Sequence, residues 1–337
     1  MLEIPLLLVV VIVVAIVFDF TNGAHDSANA IATVVSTKVL SPGVAVTMAA
    51  VLNLVGALVD THVAQTIGSG IVHPDMIRGC QALTLAGLCG AIFWNILTWY
   101  LGLPSSSSHA LIGGLIGATL AYKGPEALNF ASIGYKILLP LFLSPMAGFL
   151  VGYLVMLALS WIFRESHPRN INKAFRRLQI LSSAFMATSH GTNDAQKTMG
   201  IITLALFIGH QIHDTTVPLW VQLVCALAMA AGTATGGWKI IKTMGHKIFN
   251  LEPVHGFSAE TSASAVIMAA SSIGAPISTT HVISASILGV GSSKRLSAVR
   301  WGVARRMVVA WLLTIPAAGA VAAVCFEVLR LAGMVGG

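Results

Sequence analysis

The sequence has 337 residues, of which 56% are hydrophobic and only 9% are charged. Soluble proteins carry about 25% charged residues, so a mean hydropathy of +0.84 excludes a single soluble globular core. The 19 basic residues outnumber the 12 acidic ones, but many of them cluster in short segments between apolar runs, which argues against a nucleic-acid-binding face. The composition therefore predicts an integral membrane protein whose main partner is the lipid bilayer.

Apolar segments follow one another along the whole chain and are separated by breaks that contain Pro or Gly. They cover residues 4–38, 43–67, 80–101, 104–121, 134–163, 178–209, 217–236, 258–273, 276–291 and 307–330. The first and the sixth exceed the ~20 residues that a bilayer requires, so we expect them to tilt or to break near their polar motifs. Two short segments begin with Pro and hydroxyl residues and closely follow another segment. They predict re-entrant helical hairpins at 80–121 and 258–291.

The basic residues predict the orientation of these segments. If the chain begins outside the cell, the basic segments 164–177, 239–247 and 294–306 all lie on the cytoplasmic side. The two hairpins then enter the membrane from opposite sides, as expected for inverted repeats. We therefore expect a multi-pass protein of the inner (plasma) membrane, with an all-α fold and two inverted-topology repeats. The first repeat covers 1–163, a basic linker covers 164–177, and the second repeat covers 178–337.

Two polar motifs support this division because each occurs once in each half. Residues 22–30 align with 190–198 at an offset of 168, and residues 104–109 align with 276–281 at an offset of 172. Two motifs in the same order and at nearly the same offset indicate that the halves are related.

The first motif contains an acid, Asp26 or Asp194, inside an apolar segment, where a central charge costs about 2.5–3.5 kcal/mol. A repeated acid at this cost predicts contact with a proton or a cation, with Na⁺ as a candidate at both positions. Gly23 and Gly191 allow either local unwinding of the helix or close helix packing, and the sequence leaves both open. Three further residues are candidates for contact with the coupling ion: Asn29, Asn193 and Glu260. For Glu260 the alternative is a carboxylate that only stabilises the start of a helix.

The second motif has the opposite chemistry. A Pro in the first turn of a half-helix leaves backbone N–H groups free, hydroxyls add donors, and the helix dipole is positive at that end. The alternative is simple N-capping. We predict that the two tips bind an oxyanion through Ser105, Ser106, Ser107, Ser108, Ser278, Thr279 and Thr280. Cation-binding acids and anion-binding donors together indicate a cation-coupled anion transporter, because the cation offsets the charge of the anion.

These motifs resemble those of the inorganic phosphate transporter (PiT) family. The family signature Gly-Ala-Asn-Asp-x-x-Asn-Ala appears at 23–30 and in part at 191–194, and both hairpin tips and 256–260 are also similar. The resemblance covers about residues 18–330. It implies inverted repeats, phosphate bound between the tips, import by alternating access, and Na⁺ or H⁺ as coupling ion with no other cofactor. Sulfate or a metal–phosphate complex stays open as the substrate, because the family includes sulfate carriers.

The sequence departs from the family pattern at two positions. His25 stands where the signature has Asn, a change that resembles bacterial members, and Lys197 occupies the position that matches Asn29. Our hypothesis is that the Lys197 ammonium lies near phosphate and substitutes for one bound cation, which favours proton coupling. The alternative is a lysine that snorkels to the membrane interface.

Two other functions fit the sequence less well. An intramembrane hydrolase would use one of the serines at 105–108 as nucleophile and His109 as base, but it does not explain why the whole arrangement is duplicated. A passive channel does not explain hairpins with closed tips and paired acids. We therefore expect a transporter and no enzyme activity. A homo-oligomer is compatible with the sequence.

Overall fold

The computed structural model describes residues 5–77 and 79–335, and within these residues it contains helices and no β-strand beyond an isolated bridge between Val72 and Leu128. The helices are α1 (Leu6–Ser36), α2 (Pro42–Ala57), α3 (His62–Gly70), α4 (Gln81–Leu101), α5 (Ser107–Lys123), α6 (Phe130–Ile162), α7 (Pro168–Ile208), α8 (Leu219–Thr235), α9 (Trp238–Lys247), α10 (Pro253–Ser272), α11 (Thr279–Lys294) and α12 (Trp301–Leu331). Helix α6 includes a π-helical turn at Ile133–Leu138.

Several of these helices are suited to span a membrane. Over the described residues, α1, α4, α6 and α12 are long and apolar enough, and the bent pairs α2–α3 and α8–α9 raise the number from 4 to as many as 6. Large apolar side chains on the outer helices face outward, such as Phe142 on α6 at 70% exposure and Leu312 on α12 at 71%. Such surfaces are stable in lipid. The prediction of an all-α membrane protein is confirmed.

The predicted continuous segment 43–67 is wrong in one respect, because the chain bends by 73° between α2 and α3 at residues 58–61. Gln196 of α7 explains why the break is tolerated. Its Oε1 accepts hydrogen bonds from the backbone N–H groups of Val63 (2.8 Å) and Ala64 (3.2 Å). These N–H groups belong to the first turn of α3 and have no partner within that helix.

Helices α1 and α7 continue unbroken through their polar motifs. A Cβ added to Gly23 would collide with the backbone oxygen of Met229 in α8, and one added to Gly191 would collide with that of Asn53 in α2. The two glycines therefore allow close helix packing and do not mark unwound turns. Because both helices are unbroken here, the motifs offer no backbone carbonyl groups that unwinding would free for ion binding.

Two helices begin earlier than the sequence suggested. Helix α7 begins at Pro168, so residues 168–177 of the expected linker continue into the long helix. Helix α10 begins at Pro253, before the predicted residue 258. In the first turn of α10, His255 Nδ1 accepts a hydrogen bond from the backbone N–H of Glu252 (3.0 Å). Pro at the first helical position and a local cap explain both starts.

The helices pair across the two halves of the chain. Helix α1 packs against α8 and α2 packs against α7, while α5 packs against α12 and α11 packs against α6. One apolar cluster surrounds α4, α5 and the start of α1, and another surrounds α10, α11 and the end of α1. The polar middle of α1 lies between these clusters. The hairpin tips, which are residues 102–108 and 273–280 and include the first residues of α5 and α11, also reach this region.

Candidate functional site

Asp26, near the middle of α1, is buried and accepts hydrogen bonds from both hairpin tips. Ser107 Oγ in the first hairpin donates to Asp26 Oδ2 (3.2 Å), and Thr280 Oγ1 in the second donates to Asp26 Oδ1 (3.1 Å). His25 Nδ1 lies 2.6 Å from the same Oδ1. A single carboxylate thus connects hydroxyls from the two halves of the chain.

Asp194, near the middle of α7, has a matching position and a stronger set of cationic partners. The Lys197 ammonium donates to Asp194 Oδ1, Thr279 Oγ1 donates to Asp194 Oδ2 (2.8 Å), and His190 Nε2 lies 3.0 Å from Oδ2. The ammonium also donates to the backbone oxygen of Ile277 in the second tip (3.0 Å). The Lys197 side chain is only 2% exposed, so it does not snorkel to an interface.

The two hairpin tips touch each other and α1. Ser108 Oγ in the first tip donates to the backbone oxygen of Ile277 in the second (3.2 Å). Asn29 Nδ2 donates to the hydroxyl oxygens of Thr279 (3.2 Å) and Thr280 (3.0 Å). The structure therefore brings the predicted anion donors of both tips into one cluster with the predicted cation acids.

Both tips also carry the same helix cap. Ser106 Oγ accepts from the backbone N–H of His109 (3.1 Å), and Ser278 Oγ accepts from that of His281 (3.2 Å). This is the N-capping alternative that the sequence left open. Because a hydroxyl oxygen that accepts still has its own O–H to donate, capping is compatible with a contact to an anion.

Ser105 contacts His25 instead of a carboxylate. Ser105 Oγ donates to Thr98 Oγ1 (2.8 Å) and lies 3.4 Å from His25 Nε2, which is also 3.2 Å from Thr98 Oγ1. Since the other ring nitrogen of His25 faces Asp26, these hydroxyls orient the imidazole toward the acid. Thr98 did not stand out in the sequence, because it lies within the apolar run of α4.

Glu260 lies apart from this cluster. Its carboxylate accepts hydrogen bonds from Thr33, from Ser182 and from Gln179 Nε2, the last at 3.1 Å. Thr33 is seven residues after Asp26 on α1, which is about 10 Å along the helix. Glu260 therefore forms a second buried polar cluster that joins α1, α7 and α10.

The amide oxygens of two predicted ion-binding residues are unused. Asn193 Nδ2 donates to Ser271 Oγ (3.0 Å) in α10, and Asn29 donates to the second tip. In the part of the chain that the structure describes, Asn29 Oδ1 and Asn193 Oδ1 are buried without a hydrogen-bond partner. Buried oxygens of this kind are uncommon, and a bound cation is one group that satisfies them.

His190 is a site residue that the sequence analysis missed. Ligand atoms of Asp26, His190 and Asp194 all lie within 4.8 Å of one another, an arrangement that suits a cation. His190 Nδ1 lies 3.1 Å from Asn53 Oδ1, which holds the ring with Nε2 toward Asp194. The available signal was spacing, because residues four apart on a helix share a face.

His109 and His281 pack against each other with ring centroids 4.6 Å apart. Trp311 stacks on His281 at 4.0 Å, and its Nε1 donates to the backbone oxygen of Pro104 (2.9 Å). His109 Nδ1 has no hydrogen-bond partner among the described residues. The two histidines thus pack behind the tips, and in the described part of the chain no hydrogen bond joins the His109 ring to the serines.

Known proteins share both the motifs and the fold. Residues 22–322 match the profile of the phosphate transporter family. The chain belongs to this family. A probable low-affinity inorganic phosphate transporter of Bacillus subtilis (strain 168) is 48% identical over 333 residues, which cover 98% of this chain and 99% of the relative. A protein of the same description from Rhizobium meliloti (strain 1021) is 48% identical over 326 residues, which cover 95% of this chain and 96% of that relative.

A solved structure described as "the sodium-dependent phosphate transporter" has the same fold as this family member. It superposes with a TM-score of 0.87 at 25% identity, over 96% of this chain and 99% of that chain. The resemblance noted from the motifs is confirmed. Because the family and these relatives are transporters, the chain is a membrane transporter and the hydrolase alternative is excluded.

Proposed function

We propose that this chain imports inorganic phosphate together with a cation across the inner (plasma) membrane. The observation that carries the proposal is that hydroxyls from both hairpin tips donate to the buried acids Asp26 and Asp194. The hydroxyls that would bind an anion and the carboxylates that would bind a cation therefore belong to one cluster. A bound cation changes the environment of a bound anion, and the reverse also holds.

Competition for the same hydroxyls provides the coupling. Phosphate oxygens would take the hydrogen bonds that Ser107, Thr279 and Thr280 now donate to the carboxylates. A proton or cation on Asp26 or Asp194 weakens these acceptors and releases the hydroxyls for phosphate, because donors bind a charged acceptor more strongly than a neutral one. Phosphate alone would add its negative charge beside two buried carboxylates at high cost. Both ligands consequently bind together.

The tips supply further attraction for phosphate. Helices α5 and α11 begin at the cluster, so the positive ends of their dipoles point toward it. The Lys197 ammonium reaches the second tip through Ile277. Ser105, Ser106, Ser108 and Ser278 surround these groups and complete the proposed phosphate contacts.

The exchanged helix pairing supports two inverted repeats, 1–163 and 178–337. Helices α1 and α7 carry corresponding motifs, and each pairs with the second helix of the other half. Each hairpin packs on the closing helix of the other half in the same way. With the basic segments in the cytoplasm, rocking of one repeat against the other would expose the central cluster to each side in turn.

For the coupling ion we propose H⁺, with Na⁺ as the second candidate. The Lys197 ammonium already occupies one face of Asp194, where a sodium-coupled protein would hold a cation. In favour of Na⁺ are the grouping of Asp26, His190 and Asp194, the unused amide oxygen of Asn29, and the description of the structural relative as sodium-dependent. Glu260 offers a further ion site in either case.

Uptake of labelled phosphate into proteoliposomes tests the proposal. A pH gradient, acidic outside, is expected to drive accumulation without Na⁺, and sulfate or chelation of Mg²⁺ is expected to leave it unchanged. Strong uptake driven by Na⁺ with no dependence on protons would refute the choice of ion. Competition by sulfate, or loss of uptake on chelation, would refute the choice of substrate, and an absence of any gradient-driven uptake would refute symport.

A further inference from the structure

Asp19 is a buried acid on α1 that has no place in the cluster described above. It lies seven residues before Asp26, about 10 Å along the helix toward its N-terminal end. Its side chain is fully buried, and Thr198 Oγ1 on α7 donates to its Oδ1 (2.8 Å). The Cys225 thiol of α8 lies beside it. Asp19 Oδ2 has no hydrogen-bond partner among the residues that the structure describes.

Asp19 is compensated less than the other acids that the described structure buries, which are Asp26, Asp194 and Glu260. Asp26 and Asp194 each face imidazole or ammonium nitrogens, and Glu260 accepts three hydrogen bonds. Asp19 has one hydroxyl donor and a weak thiol, and neither is cationic. A carboxylate left in this state inside a membrane protein costs several kcal/mol, whereas a proton on Oδ2 removes the charge.

We propose that Asp19 carries the proton that is transported with phosphate. The proposal rests on the proposed function and extends it, because it gives the proton that weakens Asp26 or Asp194 a carrier, Asp19, outside the phosphate cluster. Protonation from the outer side converts the carboxylate to a carboxylic acid. Release of that proton to the inner side regenerates the carboxylate, so one proton moves in each cycle.

The surroundings of Asp19 suit a proton better than a metal ion. Asn22 lies one helical turn away on the same face of α1, and both atoms of its side-chain amide are buried without partners among the described residues. A protonated Asp19 can donate from Oδ2 to Asn22 Oδ1, so one hydrogen satisfies two orphaned oxygens. Hard cations such as Ca²⁺ gather six to eight oxygens, far more than these two unused acceptors.

Buried polar atoms without partners among the described residues also occur on α4 and on the end of α7. Gln81 Nε2 of α4 donates to the backbone oxygen of Ala205 near the end of α7 (2.8 Å), while its Oε1 is unused. The hydroxyls of Thr84 on α4 and Thr203 on α7 are also buried without partners in the described chain. Unsatisfied polar atoms are rare in protein interiors, and Thr203 follows Thr198, the hydroxyl partner of Asp19, by five residues on α7, so we place the outer route for protons among these atoms.

Other titratable groups belong to the helices packed against α1 and must be considered in any pH dependence. The groups nearest Asp19 are Cys225, Asp194 and Lys197. The remaining groups on these helices are His25, Asp26, His190, Cys89, Tyr100, His255, Glu260, His281, Lys294 and the basic residues of α7 and α9. Helix α2 contributes none.

Two transport assays on the purified chain in proteoliposomes separate the role of Asp19 from phosphate transport itself. Phosphate exchange at equal pH needs binding and translocation only, whereas accumulation needs the coupled proton. For Asp19→Asn we expect exchange within about twofold of wild type and loss of accumulation driven by a pH gradient. One proton per phosphate supports about tenfold accumulation for each pH unit, and this ratio should fall to about one. Asp19→Glu should restore accumulation.

Asp214→Asn is the matched control, because Asp214 is exposed in the loop between α7 and α8 and should retain both activities. Thr198→Val is a second variant in case Asp19→Asn does not fold. It removes the donor to the carboxylate, so we expect half-maximal uptake to move to higher pH. An unchanged pH profile in Thr198→Val would contradict the proposal.

The remaining outcomes separate the role of Asp19 from the proposed phosphate transport. Normal exchange with full accumulation in Asp19→Asn overturns the role of Asp19 alone. Loss of Na⁺-driven, but not proton-driven, accumulation in that variant would show a metal site and also overturn it. If the wild-type chain shows neither exchange nor accumulation of phosphate, the proposed function fails and the role of Asp19 fails with it.

Discussion

Replacement of Lys197 by Met removes the ammonium that balances Asp194 inside the protein. The two side chains are 2% and 1% exposed, and the ammonium also donates to the backbone oxygen of Ile277 (3.0 Å). Met is similar in length and apolar along its stem, so the main change is the loss of charge and not of volume. Among the described residues, Asp194 then retains Thr279 and His190 as polar partners.

The size of the effect follows from burial. Removal of one partner from a buried ion pair destabilises a protein by about 3–5 kcal/mol, because the other charge is left without compensation. A cation that binds the unpaired carboxylate restores about 2.7 kcal/mol when its concentration is 100 times its dissociation constant. We therefore expect Lys197→Met to unfold at a lower temperature than wild type in choline buffer, and to recover roughly half or more of the difference in Na⁺.

Thermal unfolding in detergent, with choline and Na⁺ buffers of equal ionic strength, measures this recovery. Phosphate uptake in proteoliposomes provides the functional counterpart, since Lys197→Met should gain dependence on Na⁺. The double variant Lys197→Met with Asp194→Asn is the control. It removes both charges, so it should regain most of the stability but not the response to Na⁺.

Two results would refute this reasoning. If the double variant is as unstable as Lys197→Met, the loss does not arise from an uncompensated Asp194. If Na⁺ stabilises wild type and Lys197→Met equally, the ammonium does not occupy the place of a cation, and the argument for proton coupling from Lys197 fails.

Thr280→Ala removes a hydroxyl from the cluster and should raise the KM for phosphate by roughly 10- to 100-fold, as expected for a hydrogen bond to a charged group. Thr119→Ala removes a hydroxyl that donates within α5 and should leave the KM unchanged. Equal effects of the two variants in uptake assays would contradict the assignment. Glu260→Gln should lower cation-driven uptake at least tenfold but reduce the free energy of unfolding by only about 1 kcal/mol. Normal uptake in this variant would show that the carboxylate has only a structural role. Gly191→Ala should destabilise the protein by about 1–3 kcal/mol because its Cβ meets α2, whereas Gly43→Ala, with no atom within 4 Å, should be neutral by thermal unfolding.

Local patterns in the sequence predicted most of the architecture. Apolar runs predicted helices in a membrane, because the length and polarity of one segment decide whether it is stable in lipid. The repeated motifs at 104–109 and 276–281 predicted two hairpin tips with hydroxyl donors. The acids at Asp26 and Asp194 stood out because a charge in an apolar segment is costly whatever it contacts. The same criterion applied to Asp19 would have singled it out too.

Contacts between distant segments escaped this reasoning. The break at 58–61 is tolerated because Gln196, more than 130 residues later, accepts the free N–H groups of α3. His190 joins Asp26 at the site only because α1 and α7 lie side by side. The sequence offered Glu260 only as a candidate for contact with the coupling ion, and its partners place it in a separate cluster.

The sequence by itself determined that the chain enters the membrane, which residues bear charge or donate there, and that both halves carry the same chemistry, because these properties belong to single segments. Only the tertiary structure decided which of those groups meet. It placed the hydroxyls of both tips on Asp26 and Asp194 and gave the Lys197 ammonium to Asp194. Such pairings depend on how helices from opposite halves pack, and no local pattern encodes that packing.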